Sequence, residues 1–212
     1  MGGAVQKPHE KSKCSEISIV NIIGKGGFAV VYQAYNVKDK KVVAVKETNF
    51  ARPDSHKNEL SMTLAELEAL KHAGSHPFLV KLHCAFREGC CCYLVMDPLL
   101  GGDLRYHLRN FQLFREHHVA YFVSCIGSAL HHLHVRGILH RDVKPENVIL
   151  GGTGVPFLTD FGTAFIEQDK RVPLCTLSSG TLPYLSPESL TESRRHSYQS
   201  DYWSLGVLAF EL

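Results

Sequence analysis

HRDVKPEN, residues 140–147, is the stretch of this sequence that decides the fold. It carries an aspartate at position 142, a lysine at 144 and an asparagine at 147. This order and spacing is typical of a loop that combines a carboxylate base, a positive charge and an amide oxygen. An ordinary polar turn is the alternative interpretation, but a chance match over the whole stretch is improbable. The segment therefore indicates a loop that carries chemistry.

Further motifs follow this loop in the chain. Asp160, Phe161 and Gly162 come after a short apolar run, and the glycine allows the backbone beside the second carboxylate to pivot. Carboxylate and amide oxygens are ligands that Mg²⁺ accepts, so Asn147 and Asp160 are candidate magnesium ligands. Three more motifs follow in the chain: Gly180-Thr181, Ser186-Pro187-Glu188 and Asp201-Tyr202-Trp203-Ser204-Leu205-Gly206.

A glycine-rich turn precedes the loop by more than a hundred residues. It reads Gly24, Lys25, Gly26, Gly27, Phe28, Ala29, and it joins two runs with β-strand character. Glycines let a backbone approach phosphate groups closely, and the strand–turn–strand context differs from the strand–helix context of a dinucleotide-binding fold. A plain hairpin turn is the alternative. Ala29 stands where such loops usually have a third glycine, and its methyl group would restrict closure.

Lys46 ends the run Ala44-Val45-Lys46 on the third of these strands. A lysine at this place can reach the phosphates of a nucleotide if a carboxylate from the next helix holds it. We expect Glu66 to be that carboxylate, because the residues three and four positions after it are apolar and would pack against the sheet. Glu68 is the alternative, and a solvated helix carboxylate is the other interpretation of both.

With these motifs in place, residues 17–212 resemble the eukaryotic protein kinases, and Lys144 favours the serine/threonine type. The resemblance implies an ATP-dependent transfer of a phosphoryl group to Ser or Thr of protein substrates, with Mg²⁺ as the metal. Asp142 would orient the substrate hydroxyl and accept its proton, and Lys144 would stabilise charge on the transferred group. Lys46 and Glu66 would complete the catalytic set.

Shorter sequence motifs indicate which group of protein kinases the chain resembles. HPFLVKL at residues 76–82 and LLGGDLRYHL at residues 99–108 are similar to the AGC group, closest to its YANK subfamily. DFGTA at residues 160–164 is similar instead to phosphoinositide-dependent kinase, so the subfamily stays open.

The resemblance also implies a nucleotide site. Met96 would be the gatekeeper, the backbone of Asp97 and Leu99 would bind adenine, and Asp103 would approach the ribose. Three apolar side chains would enclose the base: Val31, Ala44 and Ile149. Four residues would stack between the lobes, anchored by Asp201: Leu70, Leu82, His140 and Phe161.

Control and specificity follow from the same resemblance. Arg141, beside the catalytic aspartate, suggests ordering of the activation loop by phosphorylation. The candidate sites are Thr176, Ser178 and Ser179, while Leu177 stands where many AGC kinases carry the phosphothreonine. Glu146 resembles a residue that favours basic substrates.

The expected fold class is α+β, with a small antiparallel sheet lobe that carries one helix and a mainly helical second lobe. Residues 1–16 are polar and would form a flexible leader. The kinase domain would span residues 17–212, with the first lobe at about 17–98 and a partial second lobe at about 99–212. Domains of this kind continue for several helices further, so we expect the final helices to be missing.

The charge balance is near neutral, with 23 basic and 21 acidic residues and a formal net charge of +2. It predicts no nucleic-acid partner. No apolar run is long enough to span a bilayer, and Gln6 stands where a myristoylation signal needs Ser or Thr, so membrane attachment is not expected. The seven cysteines lack paired CxxC spacing and favour a reducing, cytoplasmic location over a disulfide framework. The sequence assigns no oligomeric state.

Two functions compete. The first is an active protein serine/threonine kinase. The second is a truncated, non-catalytic kinase fragment that binds nucleotide or a partner, which Ala29 and the expected missing helices favour. A small-molecule kinase is disfavoured, because Gly180-Thr181 and Ser186-Pro187-Glu188 resemble an activation segment that docks peptides.

Overall fold

The computed structural model describes residues 17–26, 29–51, 58–111, 114–167, 180–191 and 196–212. For residues 58, 59 and 111 it describes the backbone alone. The predicted leader at residues 1–16, the loop residues Gly27 and Phe28, and the candidate phosphorylation sites Thr176, Ser178 and Ser179 lie outside the described residues.

An antiparallel sheet of five strands forms the first half of the fold, in the order β1-β2-β3-β5-β4. Its strands are β1 (Ile17–Lys25), β2 (Ala29–Asn36), β3 (Lys41–Asn49), β4 (Leu82–Glu88) and β5 (Cys91–Met96). One face buries a small apolar cluster built from Ala34, Val43, Val45 and Val95. Val43 and Val45 lie on the same face because alternate residues of a strand point to the same side of a sheet.

β4 begins at Leu82, three residues into the largely apolar run at residues 79–86. The preceding backbone bonds elsewhere: the Val80 N–H donates to the carbonyl of Leu158 at 3.1 Å, and the Leu158 N–H donates to Phe78 at 2.9 Å. These bonds connect the sheet half with the helical half. The apolar run at residues 79–86 therefore contains two elements: a segment bonded to the helical half, and then strand β4.

Helix α1 (Asn58–Ala73) packs one face against the sheet. Its buried positions recur at spacings of three and four residues: Thr63, Glu66, Leu70 and Ala73. The helix ends at Gly74, whose φ of 69° lies in the left-handed region, and its N–H donates to the carbonyl of Leu70 at 3.3 Å. A glycine in this conformation is a common helix end.

The second half is mainly helical, as predicted. Its helices are α2 (Leu104–Phe111), α3 (Glu116–Val135) and α4 (Tyr198–Glu211). Two small antiparallel sheets join β6 (Ile138–Leu139) to β9 (Phe165–Ile166) and β7 (Val148–Leu150) to β8 (Pro156–Leu158). Within the described part of this half, 3₁₀ turns lie at Pro145–Asn147, Leu182–Tyr184 and Pro187–Leu190. The HRDVKPEN stretch is therefore held between β6 and β7.

One apolar core runs through both halves. It includes Leu70 and Met96 from the sheet side and Leu130, Leu158 and Phe161 from the helical side. Among the described residues, no helix is both long and apolar enough to cross a membrane.

One cysteine departs from the expectation of free thiols. Cys84 in β4 is disulfide-bonded, whereas Cys90, Cys91, Cys92 and Cys125 are free. A disulfide requires its two Cα atoms to lie within about 4.4–6.8 Å of each other. Tertiary structure decides that distance, so the cysteine spacing in the sequence did not indicate the bond.

The backbone just before α2 lies so close to the end of β7 that a side chain at Gly101 should lower the stability of the fold. A Cβ atom added at Gly101 would lie 2.6 Å from the carbonyl oxygen of Leu150 and 2.9 Å from that of Gly151. We expect Gly101→Ala to reduce the free energy of unfolding by about 1–3 kcal/mol, because backbone must shift to relieve the overlap. Gly152→Ala is the matched control, since a Cβ there meets nothing within 4 Å. Equal urea midpoints for the two variants would contradict the prediction.

Candidate active site

A cleft with a volume of about 720 Å³ lies between the sheet and the helical half. The volume is within the range that small-molecule sites commonly have. The cleft brings together most of the residues predicted for the nucleotide site: Gly24, Lys25, Gly26, Ala29, Val31, Ala44, Lys46, Glu66, Met96, Asp97, Leu99, Glu146, Asn147, Ile149 and Asp160.

Lys46 lines this cleft from the central strand β3, where it pairs with Val31 of β2 and Leu94 of β5. Its Nζ donates to both carboxylate oxygens of Glu66, at 2.7 and 2.8 Å, and to Asp160 Oδ1 at 3.1 Å. Burial lowers the pKa of Lys46, but the charges of the two carboxylates outweigh it and raise the pKa above its usual value. The ammonium group is therefore protonated throughout the physiological range.

The structure distinguishes the two glutamate candidates on α1. The Glu66 side chain is buried beside Lys46, whereas Glu68 is exposed. The helical turn decides this, since residues two positions apart on a helix point in different directions. The role of Glu66 in catalysis stays a prediction.

Asp142 is the centre of a second polar cluster, and one member of this cluster, Asn147, also lines the cleft. Its Oδ1 accepts a hydrogen bond from the Thr181 hydroxyl at 2.7 Å. Its Oδ2 accepts from Asn147 Nδ2 at 3.0 Å and lies 2.7 Å from Lys144 Nζ. Lys144 also donates to Thr181 at 2.7 Å. The carboxylate is held in one orientation by three different donors.

Thr181 is a site residue that sequence reasoning missed. Gly180-Thr181 was recognised as a motif, but its threonine received no role. The glycine explains the motif: it has a φ of 102°, and a Cβ added to it would lie 2.6 Å from the carbonyl oxygen of Arg141. Only a residue without a Cβ lets the chain pass this close, and the next hydroxyl then reaches Asp142.

The two candidate magnesium ligands suit a metal that phosphate oxygens help to hold. Asn147 uses Nδ2 to donate to the backbone and side chain of Asp142, which orients the amide and leaves Oδ1 uninvolved in these bonds. Burial alone would raise the pKa of Asp160, but the Lys46 charge outweighs it and lowers the pKa, so the carboxylate is ionised. The described residues contain no cluster of three or more His, Cys, Asp and Glu side chains suited to a metal. Mg²⁺ usually needs only one or two carboxylates when phosphates complete its shell.

Asp201 holds the beginning of the 140–147 loop in place by accepting hydrogen bonds from its backbone. Its Oδ2 accepts the backbone N–H of His140 at 3.0 Å and the ring N–H of His134 at 2.8 Å, and its Oδ1 accepts the N–H of Arg141 at 2.8 Å. Arg141 has a φ of 68°, which these bonds hold in place. The His140 ring contacts the Phe161 ring edge to face at 5.2 Å, so the loop and the segment after β8 are packed together.

The structure limits two of the predicted contacts with the nucleotide, those of Asp97 and Asp103. The N–H of Asp97 already donates to the carbonyl of Lys81 at 3.1 Å, so only the Asp97 carbonyl is available to an adenine base. Asp103 is not among the described residues that line the cleft. Its Oδ1 accepts the N–H of Tyr106 at 2.7 Å and caps α2. Its contact with a ribose stays a prediction.

The sheet half, the helical half, the cleft between them and the polar clusters around Lys46 and Asp142 define the class of two-lobed kinases. The family model described as Protein kinase domain matches residues 17–212, and the chain belongs to this family.

The most similar relatives include several protein serine/threonine kinases. The chain is 39% identical to a probable serine/threonine-protein kinase of Dictyostelium discoideum, over 93% of this chain and 42% of that protein. It is 36% identical to the RAC family serine/threonine-protein kinase homolog of the same organism, over 100% of this chain and 47% of that protein. Against human ribosomal protein S6 kinase alpha-3 the identity is 35%, over 98% of this chain and 28% of that protein.

The chain therefore spans less than half the length of these curated relatives. The resemblance to AGC-group serine/threonine kinases is confirmed. The YANK subfamily, the roles of the individual site residues and the division into lobes near residue 98 stay predictions.

Proposed function

We propose that this protein transfers the γ-phosphoryl group of ATP to Ser or Thr hydroxyl groups of protein substrates. In this reaction a bond forms between the acceptor oxygen and the γ-phosphorus, and the bond from that phosphorus to the oxygen of ADP breaks. The acceptor proton passes to Asp142. Protein kinases that act on Ser and Thr are among the relatives of the chain, which supports this class of substrate.

The observation that carries the proposal is the orientation of the Asp142 carboxylate. Its two oxygens face Thr181, Lys144 and Asn147, and the side chain is almost fully buried. A base must stand within hydrogen-bond reach of the proton that it accepts, so a fixed carboxylate is what the transfer requires. Lys144 lies beside it as the nearest cation, where charge on the transferred group would develop.

The nucleotide would lie in the cleft with its base toward the connection after β5. Val31, Ala44 and Ile149 supply apolar surface there, and the Asp97 carbonyl and Leu99 backbone would bind the adenine edge. Lys46, fixed by Glu66, would contact the phosphates. Gly24 and Gly26 line the same cleft and would let the turn between β1 and β2 cover the phosphates.

Asn147 and Asp160 would hold the magnesium ion. When bound, Mg²⁺ neutralises charge on the phosphate oxygens and aligns the terminal phosphate. The contribution of the chain is to present one amide oxygen and one ionised carboxylate at the inner end of the cleft. The proposed substrate is a protein, and the proposal includes no nucleic-acid partner. We propose a cytoplasmic location because four of the five described cysteines are free, with the disulfide-bonded Cys84 as the exception.

Binding of Mg·ATP provides the first test. A ligand at about one hundred times its dissociation constant stabilises a folded protein by about 2.7 kcal/mol. For a chain of this length we expect the unfolding midpoint to rise by roughly 5–10 °C. The measurement is differential scanning fluorimetry with Mg·ATP, with Mg²⁺ alone as the control.

Phosphate incorporation into a mixed Ser/Thr peptide library is measured on the same sample. A midpoint rise with incorporation supports the kinase. A midpoint rise without incorporation would favour the non-catalytic nucleotide-binding module, and an unchanged midpoint would contradict both.

A further inference from the structure

Arg105 of α2 lies at the centre of a charged cluster beside the catalytic loop. Its Nε donates to Glu146 Oε1 at 2.8 Å, and its Nη2 donates to Glu211 Oε2 at 3.0 Å. A second bond joins Nη1 to Glu211 Oε1, so the arginine holds the Glu211 carboxylate with two donors. Nη2 also donates to the Tyr184 hydroxyl, which in turn donates to Glu211. One guanidinium group therefore ties α2, α4 and two 3₁₀ turns together.

This cluster lies close to where a substrate would present its hydroxyl. Glu146 is four residues after Asp142, so their Cα atoms are at most about 15 Å apart. An extended peptide covers that distance in about four residues. Glu146 also lines the cleft itself. A side chain within about four positions of the acceptor could thus reach these carboxylates.

The two carboxylates are exposed enough to meet a partner. The side chain of Glu146 is 41% exposed and that of Glu211 is 34% exposed. Hydrogen bonding to Arg105 holds the pKa of Glu211 below its usual range, so this carboxylate is charged at neutral pH. Without Arg105 the pair would be a doubly negative surface that attracts Lys or Arg.

Arg105 supplies this cation from within the chain. Its side chain is 20% exposed and uses Nε, Nη1 and Nη2 in the cluster. The planar fork of arginine matches a carboxylate better than the single ammonium group of lysine, and such charge-assisted bonds are strong. A basic substrate residue must break them before it can bind.

We propose that Arg105 is a specificity-determining residue that occupies the acidic position beside the catalytic loop, so the protein does not select basic substrate residues there. The inference deepens the proposed kinase function and rests on it. It replaces the expectation, drawn from Glu146 alone, that basic substrates are favoured. A purely structural arginine would instead link α2 to α4 without affecting the choice of peptide.

The test compares the full chain with Arg105→Met, which keeps much of the apolar stem and removes the charge. Serine peptides carry either Arg or Ala at each of four positions on both sides of the acceptor, and kcat/KM is measured for each pair. We expect the unaltered chain to discriminate by less than about three-fold. We expect Arg105→Met to favour Arg by about ten-fold at one or more positions, the scale of one hydrogen-bonded charge pair.

Arg109→Met is the matched control, because Arg109 is an exposed arginine one turn further along α2. It should keep the pattern of the unaltered chain. Adding Glu211→Gln to Arg105→Met should remove most of the gained preference. A folded Arg105→Met variant without any gain would overturn the proposal.

Glu211→Gln alone provides a test that does not depend on how well Arg105→Met folds. If Arg105 already fills the position, this change should alter the ratio of kcat/KM for Arg and Ala peptides by less than about two-fold. A ten-fold fall in that ratio would show that a substrate cation uses Glu211, and would overturn the proposal.

A binding measurement separates this inference from the kinase function. The same peptides, labelled with fluorescein, are titrated with each variant in Mg·ADP, and the dissociation constants are read by anisotropy. A gain in Arg-peptide affinity on Arg105→Met supports the inference even where no phosphate is transferred. Phosphate transfer with no such gain in affinity or turnover contradicts the inference and leaves the kinase function intact.

Discussion

Asp142→Asn is expected to lower the rate of phosphate incorporation by about 10²- to 10⁴-fold, the range that positioned proton transfer contributes. The amide has the shape of the carboxylate but cannot accept the proton of the acceptor hydroxyl at neutral pH. The side chain should still bond to Thr181 or Asn147, so the fold should survive. The measurement is transfer of labelled phosphate from ATP to a Ser/Thr peptide library under single-turnover conditions.

The control for this variant is nucleotide binding. Asp142 is not among the described residues that line the cleft, so the rise of the unfolding midpoint with Mg·ATP should be retained. An unchanged transfer rate in Asp142→Asn would contradict the assignment of the base. Loss of both binding and transfer would indicate that the change had disrupted the loop, and Thr181→Ala would then test the same carboxylate through its hydroxyl partner.

Lys46→Met is expected to produce the largest loss of stability. Removing one partner of a buried ion pair leaves the other charge uncompensated, which costs about 3–5 kcal/mol. Glu66 is that partner, with a side chain only 5% exposed. The variant should also lose the Mg·ATP-dependent rise of the midpoint, because the cation nearest the expected phosphates is gone. Urea unfolding and scanning fluorimetry measure the two effects.

A double-mutant cycle separates the charge from the packing. Glu66→Gln combined with Lys46→Met should recover part of the stability lost by Lys46→Met, because the buried charge is removed with its partner. Glu68→Gln is the control, since Glu68 is exposed on the same helix and should change stability by less than about 0.5 kcal/mol. Additive effects of the two changes at Lys46 and Glu66 would contradict the coupling.

The sequence predicted much of the fold because local patterns carry it. The sequence predicted three strands up to Lys46 and a following helix that carries Glu66, and the structure has them as β1–β3 and α1. β4 shows the limit of this reasoning, because the apolar run that begins at Leu79 reads as one strand. Leu79 and Val80 instead adjoin β8 of the other half, a partner far away in the sequence.

Several site residues were recognisable in the sequence for a different reason. The catalytic loop and the Asp160-Phe161-Gly162 segment place their side chains within a few residues of one another, so spacing alone indicates their chemistry. The pairing of Lys46 with Glu66 was harder to predict, because the two residues are 20 positions apart and Glu68 was an alternative partner. The pairing followed from which helical face packs on the sheet.

The sequence by itself determined the family, the order of the elements and the chemical types of the groups in the cleft. Tertiary structure alone decided that Thr181 reaches Asp142, that Cys84 is disulfide-bonded, and that Arg105 forms ion pairs with both Glu146 and Glu211. The residues of the first and third of these contacts lie between 39 and 106 positions apart along the chain. Their energies depend on distances and angles that only the packed core sets, and no local pattern of residues encodes them.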